Sequence, residues 1–237
     1  MSQRRWNGMD LATIDSLMDS IEKQGGYPLT VFFTYAEKEE SQSIGIRNII
    51  DKYLMEDGKP LIDVAINTIS SSVVTEAKFN SPLPDDPFLE RLDVPILQSP
   101  MLVKSESEWR GSIFGLTTAE IAYDVAFPEF DGQIITVPHC STVHETDGIK
   151  HVPIEQRTKD VVEMAIRWGR LRHIPNDRKK VAILFYMYPP QISNGGSAAG
   201  LDTFESISNL LKRMSEAGYK LDWVPDDRKD LSDRVMS

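Results

Sequence analysis

The 237-residue chain has one cysteine, so no intramolecular disulfide can form. A reducing, intracellular setting follows as the expectation, and we read the chain as cytoplasmic. It lacks any run approaching the ~20 apolar residues that cross a bilayer, so no membrane span is expected. The opening residues carry two arginines but no apolar stretch behind them, so they are not expected to be a signal peptide. Basic residues are in deficit, 26 against 36 acidic, for a net charge of -10. Nucleic acid and anionic membranes are therefore poor partners, because both need a basic footprint. There is no repeat at solenoid-like periods. Fourteen glycines and fourteen prolines are too few for a collagen-like or low-complexity chain.

What remains is an ordinary globular composition, 41% hydrophobic and 26% charged, long enough for one large domain or two small ones. Helix-spaced apolar residues alternate with short β-branched runs. Leu11, Ile14, Leu17, Met18 and Ile21 form one helical stripe, with Asp10 as its expected cap and Gly25 and Gly26 at its end. Residues 29–35 read as a buried strand. Ser43 opens a helix carrying Ile46, Ile49, Ile50, Tyr53 and Leu54. Further strands are expected at 61–67, at 94–98 with Pro95 at its start or on an edge, and at 134–137. A short helix is expected from Thr118 to about Val125, and a longer one carries Val161, Val162, Ala165, Ile166 and Trp168. Residues 181–186 are the strongest strand signal in the chain. Phe204, Ile207, Leu210, Leu211 and Met214 form the last helical stripe, with Asp202 and Glu205 as a capping pair and Gly218 as its stop. A strand begins at 220–224, and 226–237 has no helix-length apolar stripe. The alternation predicts an α/β fold, doubly wound, with mostly parallel sheets in Rossmann- or flavodoxin-like units. The expected division is a first unit over 1–127, a polar connecting segment and helix over 128–178, and the start of a second unit over 179–237.

Three segments carry chemistry. The loop around Asn194, Gly195, Gly196 and Ser197 follows a strand and feeds a helix, so its backbone N–H groups can meet an anion. It lacks G-x-G-x-x-G and the lysine of a P-loop, and a tight connection needing small residues is the alternative. Glu129 and Asp131 are two carboxylates at i and i+2. They suit proton exchange or a hard cation, or else form an acidic turn ending at Gly132. His139, Cys140 and His144, with His151 nearby, offer ligands to cobalt or zinc, in a spacing that matches no structural zinc signature, and a loop that happens to hold exposed histidines is the alternative.

The same segments carry a family resemblance. Residues 180–186 with Tyr188-Pro189-Pro190, then Asn194, Ala198-Ala199, Leu201-Asp202 and Glu205-Ser206, resemble a hallmark of the large subunit of ATP-dependent cobaltochelatase and of the H subunit of magnesium chelatase. Residues 94–98, Trp109, Gly115-Leu116, 127–132, Arg167-Trp168 and Leu171-Arg172 resemble it too. Met187 stands where that family has asparagine. The family's large subunits are several times longer, so the chain corresponds to an internal slice.

The resemblance implies a ligase forming nitrogen–metal bonds, which inserts Co2+ or Mg2+ as substrate into a tetrapyrrole. No tightly bound cofactor is implied. The partners it implies are the remainder of the large subunit and AAA+ motor subunits that use ATP. Glu129 becomes the foremost candidate proton acceptor, with Asp131 second and His139, Cys140 and His144 as metal-transfer candidates. A non-catalytic tetrapyrrole- or anion-binding module, or a scaffold, is the alternative.

Overall fold

A computed structural model describes residues 3–33, 45–73, 88–146, 148–186, 196 and 200–236. The chain divides into two compact units, Met1–Arg172 and His173–Ser237.

In the first unit, helices α1 (Gln3–Asn7) and α2 (Ala12–Lys23) lead the chain. Helix α3 begins α-helically at Ile46–Ile49 and continues as a π turn over Ile50–Leu54. Strands β1 (Met55–Glu56) and β2 (Lys59–Pro60) pair antiparallel across Asp57-Gly58, both at positive φ, as a two-residue hairpin turn requires. Strand β3 (Ala65–Asn67), helix α4 (Phe88–Leu92), strand β4 (Ile96–Gln98) and helix α5 (Glu106–Gly111) follow. Helix α6 is composite: α-helical over Thr118–Glu120, π-helical over Ile121–Ala126, and α-helical again over Phe127–Phe130. Strand β5 (Ile134–Ile135), the hairpin β6 (Cys140–Glu145) and β7 (Gly148–Pro153), and helix α7 (Glu155–His173) complete it.

The central sheet has the order β3-β4-β5 and is parallel throughout. Its register places Ala65 beside Ile96, and Ile66 beside Leu97. Side chains alternate between faces, so Ile66 and Ile96 point opposite ways. Ile66 packs with Ile14 and Leu17 of α2 and Val162 and Ile166 of α7. Ile96 packs against the larger cluster of Ile49, Ile50, Leu54, Phe88 and Leu92 from α3 and α4. Helix α7 passes so close to the chain entering β3 that a Cβ on Gly169 would lie 3.2 Å from Asp63 Cβ.

Several local expectations are corrected. Residues 29–33 form no strand beyond one bridge residue at Phe33. Phe32 instead stacks on Trp6, ring centroids 4.9 Å apart, so this apolar run satisfies itself by side-chain packing. The 61–67 and 134–137 runs shorten to three and two residues. The polar stretch 128–155 contains the β6–β7 hairpin, whose six-residue register closes at Glu145 and Gly148. Asp10 does not cap α2, whose cap position is Leu11 and carries no side-chain cap bond. Asp10 turns instead to Arg5 and His151.

The second unit holds a 3-10 turn (Asn176–Arg178), helix α8 (Thr203–Glu216) and helix α9 (Arg228–Met236). Asp202 caps α8 by accepting from Glu205 N at 3.0 Å, as expected, and Gly218 follows it at φ 84°. Residues 181–186 join no ladder, against expectation, and Leu184 is 92% exposed. A strand needs a neighbour, and the described residues of this unit supply none. Residues 220–224 likewise form no strand. Helix α9 arises where no apolar stripe predicted one: Asp226 N–H and Asp230 Oδ2 tie its first turn, and Leu231 is its buried contact.

Candidate functional site

The carboxyl ends of parallel strands are where open α/β sheets bind ligands, because loops diverge there. In this chain those ends are Asn67, Gln98 and Ile135. Register puts Asn67 beside Gln98, and Gln98 beside Ile135, so they share a face; Gln133, two residues before Ile135, joins it. Asn67 Nδ2 donates to Gln98 Oε1 at 2.8 Å and Gln133 Oε1 at 2.9 Å. Gln98 Nε2 donates to Ile69 O at 3.2 Å, and Gln133 Nε2 to Asp131 Oδ2 at 3.3 Å.

Asp131 therefore ends a buried amide row. Its Oδ1 accepts from Ser72 Oγ and its Oδ2 from Val73 N, both at 2.6 Å. Both oxygens are engaged, so this carboxylate fastens the loop after β3 to the end of α6. It also lines a cleft of about 470 Å³ with Glu90, Asp93, Pro95 and Gly132. Glu129, two residues earlier, is exposed at the end of α6. The face around it is open and aromatic. Phe130 is 83% exposed, and Tyr123 and Phe127, also exposed, meet edge to face at 5.4 Å. The structure thus separates the two carboxylates: one is accessible, the other fixes the segment that carries it.

Two further acids, Glu120 and Asp124, lie on α6 outside the three segments read as chemical. Thr117 and Glu120 form a full capping box: Glu120 N donates to Thr117 Oγ1 at 3.2 Å, and Thr117 N to Glu120 Oε2 at 2.7 Å. Glu120 Oε1 accepts from Val103 N at 2.9 Å. Burial opposes ionisation of Glu120, but the bonds from Thr117 and Val103 outweigh it and hold its pKa below the usual range. Asp124, one turn on, is 3% exposed. Burial pushes its pKa up to about 6, against the bond from Ser70 and with the nearby Glu120 charge. Its Oδ1 has no hydrogen-bond partner among the described residues. The signal was present as Thr117-x-x-Glu120 with Asp124 four residues on, two carboxylates on one helical face. That this face is buried is not written in the local sequence.

The His and Cys cluster is dispersed in function. His139 is buried, with Nδ1 2.9 Å from Ser99 Oγ and Nε2 without a partner among the described residues. Burial, helped by the Arg5 charge, lowers its pKa to about 4 and keeps the ring neutral. Cys140 is buried at the start of β6, and desolvation pushes its thiol up to about 12, so it is not a thiolate at neutral pH. His144 is exposed toward the far end of β6. His151 joins Asp10, Nδ1 to Oδ2 at 2.5 Å. Among the described residues no three His, Cys, Asp or Glu side chains converge on a metal position.

In the second unit, Asn194, Gly195 and Ser197 lie outside the described residues. Gly196 is at φ 72°, and its N–H donates to Tyr186 O at 3.0 Å, so that donor is already used. Its carbonyl accepts from Thr203 Oγ1. Among the described residues no helix is long and apolar enough to cross a membrane.

Comparison with known proteins accords with this reading of the motifs. Residues 1–237 match the family described as CobN/Magnesium Chelatase. An uncharacterized protein of Methanocaldococcus jannaschii is 34% identical over 99% of this chain and 20% of its own length. The aerobic cobaltochelatase subunit CobN of Pseudomonas aeruginosa is 32% identical over 69% of this chain and 14% of its own. The chloroplastic magnesium-chelatase subunit ChlH of Oryza sativa subsp. indica is 29% identical over 78% and 13%. The solved catalytic subunit of cobaltochelatase from Mycobacterium tuberculosis superimposes with a TM-score of 0.77 at 26% identity, covering all of this chain and 20% of that one. The chain thus spans a fifth or less of the length of these relatives, and it belongs to the CobN/magnesium chelatase family.

Proposed function

We propose that this chain forms part of the tetrapyrrole-binding large subunit of an ATP-dependent metal chelatase. Its substrates are a metal-free tetrapyrrole and Co2+ or Mg2+, and ATP is used by AAA+ partner subunits. Insertion breaks two pyrrole N–H bonds, forms metal–nitrogen bonds and releases two protons, so the site needs a proton acceptor facing the ring. Glu129 is that acceptor. The observation that carries this role is its position: an accessible carboxylate on a helix end fastened by Asp131, beside the open aromatic face of Phe127 and Phe130. A flat conjugated ring stacks on such side chains.

Asp131 serves by holding Glu129 in place, since its own oxygens are engaged. Of the three metal-transfer candidates, His144 is the accessible one; His139 and Cys140 sit in the interior. The loop at 194–197 is proposed to meet the anionic side groups of the ring. Clusters on opposite faces of the parallel sheet support a doubly wound, Rossmann-like arrangement, and a cytoplasmic setting suits the single buried thiol.

Glu129→Gln, placed in the complete large subunit with its partners, is expected to lower insertion by about 10²-fold or more while macrocycle affinity stays within about twofold. Unchanged turnover removes Glu129 from the reaction. The exposed Tyr123, Phe127 and Phe130 equally favour a binding module without catalysis. In that case the variant turns over normally and the chain still shifts the absorption of an added tetrapyrrole.

A further inference from the structure

The loop after β3 contains three consecutive serines, and each is tied to the same helix. Ser70 hydrogen-bonds Asp124. Ser71 N donates to Tyr123 O at 2.6 Å. Ser72 Oγ donates to Asp131 at 2.6 Å, and Val73 N adds a second bond there. Ser71 has φ 81°, a left-handed conformation that a non-glycine residue adopts only when its surroundings impose it. The segment carrying Glu129 is thus pinned to one loop at two points, five residues before Glu129 and two residues after it.

The two pins differ. Asp131 is a carboxylate with donors on both oxygens. Asp124 has Ser70 as its donor on one side, and an Oδ1 with no partner among the described residues on the other. It lies in the π turn of α6, an irregularity frequent at functional sites. The ionisable group that acts on it is Glu120, on its own helix, and Asp124 in turn raises the Cys140 thiol of β6. Lys104 acts on Glu120 rather than on Asp124. Glu120 is fully bonded and stays charged, so a charge on Asp124 meets repulsion and has one donor to offset it. Two neighbouring acids whose environments drive their proton affinities apart are a frequent basis for divided roles.

We propose that Asp124 is a positioning residue: protonated, it pins the Glu129 segment to the Ser70–Ser72 loop, and ionised, it releases that end. The inference rests on the assignment of Glu129 above but is tested without it. Upward displacement of a buried acid means its proton is held more tightly in the pinned state. The sign follows: the pin is strongest at low pH, weakens as pH rises from the ordinary value of 3.8 through about 6, and then levels off.

The test is amide hydrogen exchange at Ser71 in the complete protein between pH 5 and pH 8, corrected for intrinsic exchange. Wild type is expected to lose about tenfold in protection across this range. Asp124→Asn, which keeps the shape without the titration, is expected to show none of that change. Ser70→Ala removes the donor and is expected to move the midpoint to higher pH. A wild-type protection that does not vary with pH, or a variation that survives in Asp124→Asn, overturns the proposal. So does a Ser70→Ala midpoint left in place. If exchange behaves as expected but Glu129→Gln leaves insertion unchanged, the pin stands and the assignment of Glu129 falls.

Discussion

At the scale of single residues, the interior polar groups decide how the first unit responds to acid. Asp10 accepts from Arg5 Nε at 3.2 Å, from His151 Nδ1 at 2.5 Å and from His151 N at 3.1 Å. Arg5 is itself buried and also donates to Thr13 Oγ1 at 2.5 Å. Asp10→Asn removes the charge opposite a buried guanidinium, and we expect a loss of about 2 kcal/mol, read from the urea midpoint at pH 7. Burial works against its ionisation, but the His151 bonds and the Arg5 charge prevail and hold the carboxyl below its ordinary range. Its contribution is therefore complete above that range and fades as pH falls. His139 acts in the same sense: its stabilisation is present above 6.5 and is lost as pH falls toward about 4. Asp124 acts oppositely. These three groups illustrate what a sequence conceals, because Asp10 reads as a helix cap, His139 as a ligand, and nothing local marks Asp124 as buried. Each role depends on which distant residues meet it, and those partners lie 141, 40 and 54 positions away in the cases of His151, Ser99 and Ser70.

At the scale of elements, composite helix α6 holds the candidate site together. Its start is fixed by Glu120, which satisfies the N–H groups of Thr117 and Val103 and so joins the helix to the loop after β4. Glu120→Gln leaves only one oxygen for these two donors. We expect a loss of about 1–3 kcal/mol, measured by thermal unfolding, with Val103 losing amide protection first. Elements with a strong helical period were legible: α2, α7 and α8 stand where their apolar stripes put them. The strands were legible in place but not in length, since a ladder ends where its neighbour ends. The β6–β7 hairpin was not legible, because its residues are polar on the exposed face and it is defined by pairing across residues 145–148. The segment 181–186 gave the strongest strand pattern and joins no ladder, for the converse reason. In the site, the i, i+2 spacing marked Glu129 and Asp131 as a pair, but not that Ser72 and Val73, from a distant loop, occupy the Asp131 oxygens.

At the scale of the whole chain, burial is uneven. Among the described residues, every buried hydrophobic side chain except Leu231 lies in the first unit. The second unit relies on caps and surface ties such as Arg228 to Asp202 at 2.8 Å, Asn176 to Ala217 O at 2.8 Å, and the Phe185–Phe204 ring contact at 5.5 Å. Surface pairs of this kind stabilise little. We therefore expect α8 amides to exchange by a lower-energy opening than those of α7, and to be lost at a lower denaturant concentration. Equal protection in the two helices would contradict this.

The amide row at the carboxyl edge of the sheet also has a direction. Asn67 Nδ2 supplies hydrogens to both glutamine oxygens, so each glutamine must present its own hydrogens outward, to Ile69 O in one case and to Asp131 in the other. The three amides carry no titratable proton, and none can turn without disturbing the others. Through Gln133, hydrogen-bond polarity therefore runs from the end of β3 to the carboxylate beside Glu129, while Gln98 returns it to the loop after β3. The sheet's edge thus presents a fixed orientation of amide dipoles to the Asp131 carboxylate.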